Sequence, residues 1–267
     1  MKRKYLEQLI KPRSPEEEAG YWIQRYKEPA TELLRNLRIK IEQLEYDSVL
    51  GDDTGARIHT LVFSQAIKEI YGDRKNLQTI FVQGGVPLKD DPEHKQNVIN
   101  YLEHMKPRLG KKCLIVTEEI SSGETVKKLA NILNSIGVQA DVATFGTAWD
   151  QDAYTEYVQS TDQPKIMNLG GLNIFVGEYS WAPSIPKDYL GLWDRSKSGH
   201  GHAIKQHPRD LKFMPDSDWP SNWPSSDKIS AARVKAKELG HQLAQEFLSS
   251  KNDNFCCRGV DSGFRFC

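Results

Sequence analysis

Leu33, Leu34, Leu37, Ile41 and Leu44 recur at steps of three and four residues, the spacing that lines apolar side chains along one face of a helix. The positions between them are polar or charged, so residues 1–46 read as helical, with an apolar face to be covered. The same period returns at Leu61, Val62, Ala66, Ile67 and Ile70, predicting a helix over residues 60–71. It stops at Gly72, a residue suited to the left-handed position after a last turn. Thr79, Ile80, Phe81 and Val82 then predict a strand that breaks at Gly84 and Gly85.

Asp91 followed by Pro92 has the form of a helix N-cap with proline in the first turn. Val98, Ile99, Leu102 and Met105 give that helix its apolar side before Pro107 and Gly110 close it. Cys113, Leu114, Ile115 and Val116 follow without polar alternation, as expected of a strand buried on both faces. Val126, Leu129, Ala130, Leu133 and Ile136 mark an amphipathic helix stopped by Gly137, and residues 138–145 resume strand character. Strand, helix, strand in succession predicts an α/β fold with a parallel sheet. A further strand is predicted over residues 172–176. Residues 180–225 hold many prolines, tryptophans and glycines without a period, which reads as a long functional loop region or a small cap. Ile229, Val234, Leu239, Leu243 and Phe247 predict a last helix from about residue 226 to 248. The expected organisation is a helical extension over 1–58, a core over 59–180, an irregular cap over 181–225, a docking helix over 226–250 and a tail over 251–267.

Charge narrows the partners. Lys plus Arg and Asp plus Glu both number 36, so no net field draws the whole molecule to nucleic acid or to an acidic membrane. No apolar stretch approaches the length of a membrane span, and residues 1–10 lack the apolar run of a secretory signal. The expectation is a cytoplasmic protein without a membrane partner. Cys256, Cys257 and Cys267 crowd near one another in a spacing that reads as free thiols on a tail.

Chemistry concentrates in residues 114–125, LIVTEEISSGET, where an apolar strand runs into acids, small hydroxylated residues, a glycine and a helix. The first amides of a helix lack internal partners, and its dipole favours an anion. Ser121, Ser122, Gly123, Glu124 and Thr125 would cradle a phosphate there, with Gly123 admitting the ligand close to the main chain. Glu118, just before the cradle, can accept hydrogen bonds from a vicinal diol. Ser122 and Thr125 are equally able to cap the helix.

These residues resemble the phosphoribosyl pyrophosphate (PRPP) loop of type I phosphoribosyltransferases. Aligning Gly123 and Thr125 sets Thr117 and Glu118 on the family's acidic pair, and a slide of one residue sets Glu118 and Glu119 there, so both glutamates are candidate catalytic residues. Residues 82–87, VQGGVP, are similar to the family's pyrophosphate loop, which makes Gln83, Gly84 and Gly85 candidate ligands, with Lys89 nearby. Ile185, Pro186, Tyr189 and Asp194 are loosely similar to the segment with which purine-using members stack and hold the base. The resemblance implies a type I phosphoribosyltransferase-like parallel sheet with flanking helices. It also implies transfer of ribose 5-phosphate from PRPP to a nitrogenous base with release of pyrophosphate, Mg²⁺ as cofactor, and a homodimer as the candidate assembly.

Thr117 in place of an acid and Gln83 in place of the family's basic residue favour a second reading, a non-catalytic module that senses PRPP or a nucleotide. A third reading rests on Arg195, Lys197, Lys205, Arg209 and Lys212, with His200, His202 and His207, opposed only by Asp210. Such a stretch is ordinarily solvated surface; its place among aromatics allows a nucleic-acid contact as the minority reading. Asp52, Asp53, Thr54, Gly55 and Arg57 read as a helix-start turn, with a place on the site's rim as the alternative.

Overall fold

A computed structural model describes residues 14–52, 56–82, 92–147, 166–169, 171–178 and 226–256. The predicted N-terminal helicity resolves into α1 (Pro15–Gln24), α2 (Lys27–Asn36) and α3 (Arg38–Glu42). Helix α1 starts at a capping box: the Glu17 amide donates to Ser14 Oγ at 3.2 Å, and the Ser14 amide donates to Glu17 Oε2 at 3.0 Å. The chain then enters β1 (Ser48–Gly51), buried at all four positions. This strand falls inside the stretch expected to be a helical extension and belongs to the core. Four residues are too few to show a period, which is why the pattern concealed it.

Helix α4 (Arg57–Tyr71) and a single 3₁₀ turn lead to β2 (Gln78–Phe81), followed by α5 (Pro92–Leu109) and β3 (Lys112–Ile120). Helix α5 runs two residues past Pro107, which sits in its last turn. Helix α6 (Glu124–Ser135), β4 (Gln139–Thr147), β5 (Ile166–Leu169), β6 (Leu172–Val176) and α7 (Ser226–Cys256) complete the described chain. The six strands form one sheet in the order β2-β1-β3-β4-β6-β5. Every neighbouring pair is parallel except β5 and β6, which are antiparallel. The α/β architecture expected from the sequence is therefore present, with β1 one strand from the edge and β3 and β4 at the centre.

Two apolar layers sandwich the sheet. On one face Val49, Leu114, Val116, Ala143 and Phe145 pack under α1, α2, α4 and α7. On the other, Leu50, Cys113, Ile115, Val142 and Ile174 pack under α5 and α6. Cys113 is a free thiol in this second layer, pushed up to about 12 by burial and so held as an unreactive thiol.

Helices α4 and α7 touch closely because Gly240 has no side chain: a Cβ there would stand 2.6 Å from the Val62 carbonyl oxygen and 2.7 Å from Gln65 Cβ. One turn on, His241 Nδ1 meets Glu69 at 2.5 Å. Toward the helix starts, Arg233 acts on Arg57. The partners rise together in number, so α4 and α7 run in the same direction.

The N-terminal ends of the strands carry a charged cluster. Buried Asp141 accepts a hydrogen bond from the Tyr46 hydroxyl at 2.9 Å and pairs with Lys40 at 3.3 Å and Lys112 at 3.2 Å. Among the described residues no helix is long and apolar enough to cross a membrane.

Candidate functional site

A parallel sheet aims every strand's C-terminal end at one edge, and ligands settle where successive crossovers part to opposite sides. Here α4, leaving β1, lies on one face, and α6, leaving β3, lies on the other. The exits of the adjacent strands β1 and β3 therefore diverge and frame a crevice between Asp52 on one side and residues 117–125 on the other. The amide of Asp52 donates to the Val116 carbonyl at 3.3 Å, extending the ladder one step past Gly51. Buried Asp52 thus stands beside Thr117, the position that the phosphoribosyltransferase pattern gives to an acid.

At the exit of β3 the pleat changes. Cys113 and Ile115 belong to the layer under α5 and α6, and so does Ile120, which strict alternation would send to the opposite face. The break falls at Glu118 and Glu119, both half-buried. The Thr117 hydroxyl donates to the Glu119 carbonyl at 3.4 Å, and Thr147 Oγ1 donates to the Ile120 carbonyl at 3.2 Å, fixing the turn from both sides. Glu118 acts on Tyr26, a fully buried phenol whose hydroxyl has no hydrogen-bond partner among the described residues. Burial first, and the Glu118 charge second, push that phenol well above its usual range. The Tyr26 ring lies 4.2 Å from the His59 ring of α4, and His59 lies 4.7 Å from Phe145 of β4, so three elements join in one aromatic cluster.

The cradle follows. Ser121 and Ser122 are exposed, and the Glu124 amide donates to Ser122 Oγ at 3.4 Å. Gly123 is the N-cap of α6 in the left-handed region, with φ 69°, a conformation that L side chains rarely adopt. Its carbonyl accepts the first helical bond, from Lys127 at 3.0 Å. Among the described residues nothing accepts from the amides of Thr125 and Val126, so two helix-start donors stand open. The Glu124 carboxylate turns along the helix to Lys128 at 3.0 Å.

Glu118, Glu119, Ser121, Ser122, Gly123, Glu124 and Thr125 are thus contiguous at one end of the sheet. Gln83, Gly84, Gly85, Lys89, Tyr189 and Asp194 lie outside the described residues, as do the Asp91 cap, the basic stretch 195–212 and the side chains of the tail cysteines. Strand β2, which leads to Gln83, is separated from β3 by β1.

Arg57, read from the sequence as part of a helix-start turn with the site's rim as the alternative, lies at the start of α4. Its guanidinium lies 4.9 Å from the Phe81 ring centroid, and Nε and Nη1 are buried without a hydrogen bond. Burial, then the neighbouring Arg233, lower it to about 10. Gly51 makes room for this stack, since a Cβ there would stand 2.7 Å from Phe81 Cδ1. The legible signal was GDDTGAR directly after SVLG, once SVLG is read as a strand.

Among the described residues no group of three or more His, Cys, Asp or Glu side chains converges on a metal position. No protein-family model matches the chain, and no curated protein or solved structure matches it either.

Proposed function

We propose that the chain binds a phosphorylated ribose at the β3–α6 turn and acts as a phosphoribosyltransferase, moving ribose 5-phosphate from PRPP to a nitrogenous base with release of pyrophosphate. The observation that carries this reading is the left-handed Gly123 cap with open amides at Thr125 and Val126, one short turn after Glu118, at the crevice of a parallel sheet. The amides and the hydroxyls of Ser121, Ser122 and Thr125 receive the 5′-phosphate. Glu118 accepts from the ribose hydroxyls, and its charge beside the ring favours the positive character that develops at carbon 1. Glu119 and Asp52 flank it. Gln83 to Gly85 take the pyrophosphate end, while Tyr189 and Asp194 meet the base. Mg²⁺, when bound, supplies charge neutralisation to the departing pyrophosphate. No protein nucleophile is required, so the residues act by orienting two reactants.

Titration calorimetry with ribose 5-phosphate and with PRPP checks the binding. Ser122→Ala and Thr125→Ala are each expected to weaken ribose 5-phosphate about 10–150-fold, the worth of one hydrogen bond to a charged group. An unbound sugar phosphate would overturn the reading. A second reading, a PRPP or nucleotide sensor on the same site, is favoured by Thr117, whose hydroxyl is turned to the Glu119 carbonyl at a position that would otherwise hold a charge. Pyrophosphate release with one of a panel of bases, lost in Glu118→Ala, supports the enzyme. Tight PRPP binding without release supports the sensor.

A further inference from the structure

An edge strand offers a row of main-chain donors and acceptors paired on one side only, and proteins ordinarily blunt it with a charge or a proline on the strand itself. Among the described residues β2 is such an edge, with β1 as its one neighbouring strand. Gln78, Thr79, Ile80 and Phe81 carry no charge and no proline. The Gln78 amide donates to the Asp47 carbonyl at 3.1 Å and the Val82 amide to the Gly51 carbonyl at 2.9 Å, so alternate residues of β2 face β1. Thr79 and Phe81, which lie between them, therefore turn their amides and carbonyls outward. Both residues are half-buried and reach the surface.

Charge stands beside the strand instead. At its first residue, Arg108 of α5 donates to the Gln78 side chain through Nε and Nη2, each at 3.3 Å. Lys68 of α4 feels the charge of Arg108 and of Lys237 on α7: burial first, then Lys237 and Arg108, hold its ammonium below the usual lysine range. At the last residue, Arg57 stacks on the Phe81 ring at 4.9 Å. Helices α4 and α5 cover opposite faces of the sheet, so cations flank the edge from both sides. Glu69, the acid beside Lys68 in the chain, is engaged by His241 and Gln65. Among the described residues no ion pair engages Lys68, Arg108 or Lys237.

We propose that the β2 edge takes an acidic peptide segment in extended form, which adds a strand to the sheet through Thr79 and Phe81 while its carboxylates meet Lys68, Arg108 and Lys237. In a second copy of this chain those cations would confront their own like. Acidic side chains on an added strand would instead be drawn to them on either face. Outward amides and carbonyls together match a peptide main chain; a phosphate backbone has acceptors alone and would leave the carbonyls unmet. The site is independent of the proposed sugar-phosphate binding, because β1 separates β2 from β3.

The test is fluorescence anisotropy of a dye-labelled peptide alternating glutamate with valine, titrated with the full chain. Three further probes run beside it: the lysine counterpart, a version with proline for each valine, and single-stranded oligothymidylate. Hydrogen exchange at the Thr79 and Phe81 amides is followed in parallel. The glutamate peptide should bind at least about tenfold tighter than the lysine and proline versions, weaken as salt is raised, and slow exchange at both amides. Arg108→Glu combined with Lys237→Glu, at two exposed positions, should weaken it about tenfold or more while ribose 5-phosphate binding is unaffected. Thr79→Pro removes an outward amide and no bond to β1, and should weaken it likewise. A glutamate peptide that does not bind, equal binding of the lysine or proline version, unchanged affinity in the charge-reversed chain, or unaltered exchange at both amides overturns the site. Tighter binding of the oligonucleotide would give the cations to nucleic acid, and a dimer that comes apart in Thr79→Pro would give the edge to a second copy; either result also overturns it.

Discussion

Single side chains hold charge differently at the two ends of the sheet. Among the described residues no acid pairs with Arg57, whereas Asp141 is met by the Tyr46 hydroxyl, Lys40, Lys112 and the Asn173 amide at 3.3 Å. Burial alone would raise the Asp141 carboxyl; the Tyr46 hydrogen bond and the two lysines outweigh it and hold the group below the usual carboxylate range. A carboxyl depressed in the folded state stabilises the protein above its unfolded value, about 4, and that stability is lost as pH falls through the lower folded value. Asp141→Asn should cost about 3 kcal/mol at pH 7, since it leaves two lysines short of a partner. Urea denaturation at pH 7 and pH 3 checks this: the loss should shrink at the acid end, and an equal loss at both would show that the charge is not what matters. Glu118, Ser122 and Thr125 could be picked out as candidates because a strand running through acids and hydroxyls into a helix start is a local pattern. Asp52 and Arg57 could be read only as a helix-start turn or a rim, because their place depends on a four-residue strand and on a helix far along the chain.

Among the elements, the pairing of α4 and α7 depends on one missing side chain. Gly240→Ala would drive a methyl group toward the Val62 carbonyl and Gln65, where backbone and a packed stem leave little room. The expected cost is about 2 kcal/mol, or roughly 4–8 °C in Tm. Calorimetry reads it directly, and an unchanged Tm would mean the helices separate without penalty. The apolar period placed α4, α5, α6 and α7 correctly because each buries one face. It understated α7, which runs to Cys256, since a helix continues past its last buried side chain. It overlooked β1 and β5, each four residues long and too short for a period to register.

For the whole molecule, the succession of strand and helix revealed a parallel sheet, while strand order was hidden because it is decided by which faces the crossovers take. The layer over Val49, Leu114 and Phe145 is closed by helices from both early and late in the sequence. Removing residues 226–267 should therefore uncover Val62, Phe63 and Ala66 of α4. Strong binding of a hydrophobic dye and loss of a cooperative melt are expected; a truncated chain with an unaltered melt would refute the dependence.

The shared direction of α4 and α7 also decides where the long connections attach. Strands β1, β2, β4 and β6 all finish at the crevice edge, and α4, α5, β5 and α7 all start there. Residues 52, 82, 147 and 178 and residues 56, 92, 166 and 226 thus all lie on that one rim. Whatever meets this rim does so away from the opposite pole, where Asp141 ties Tyr46, Lys40 and Lys112 together and keeps the sheet in register.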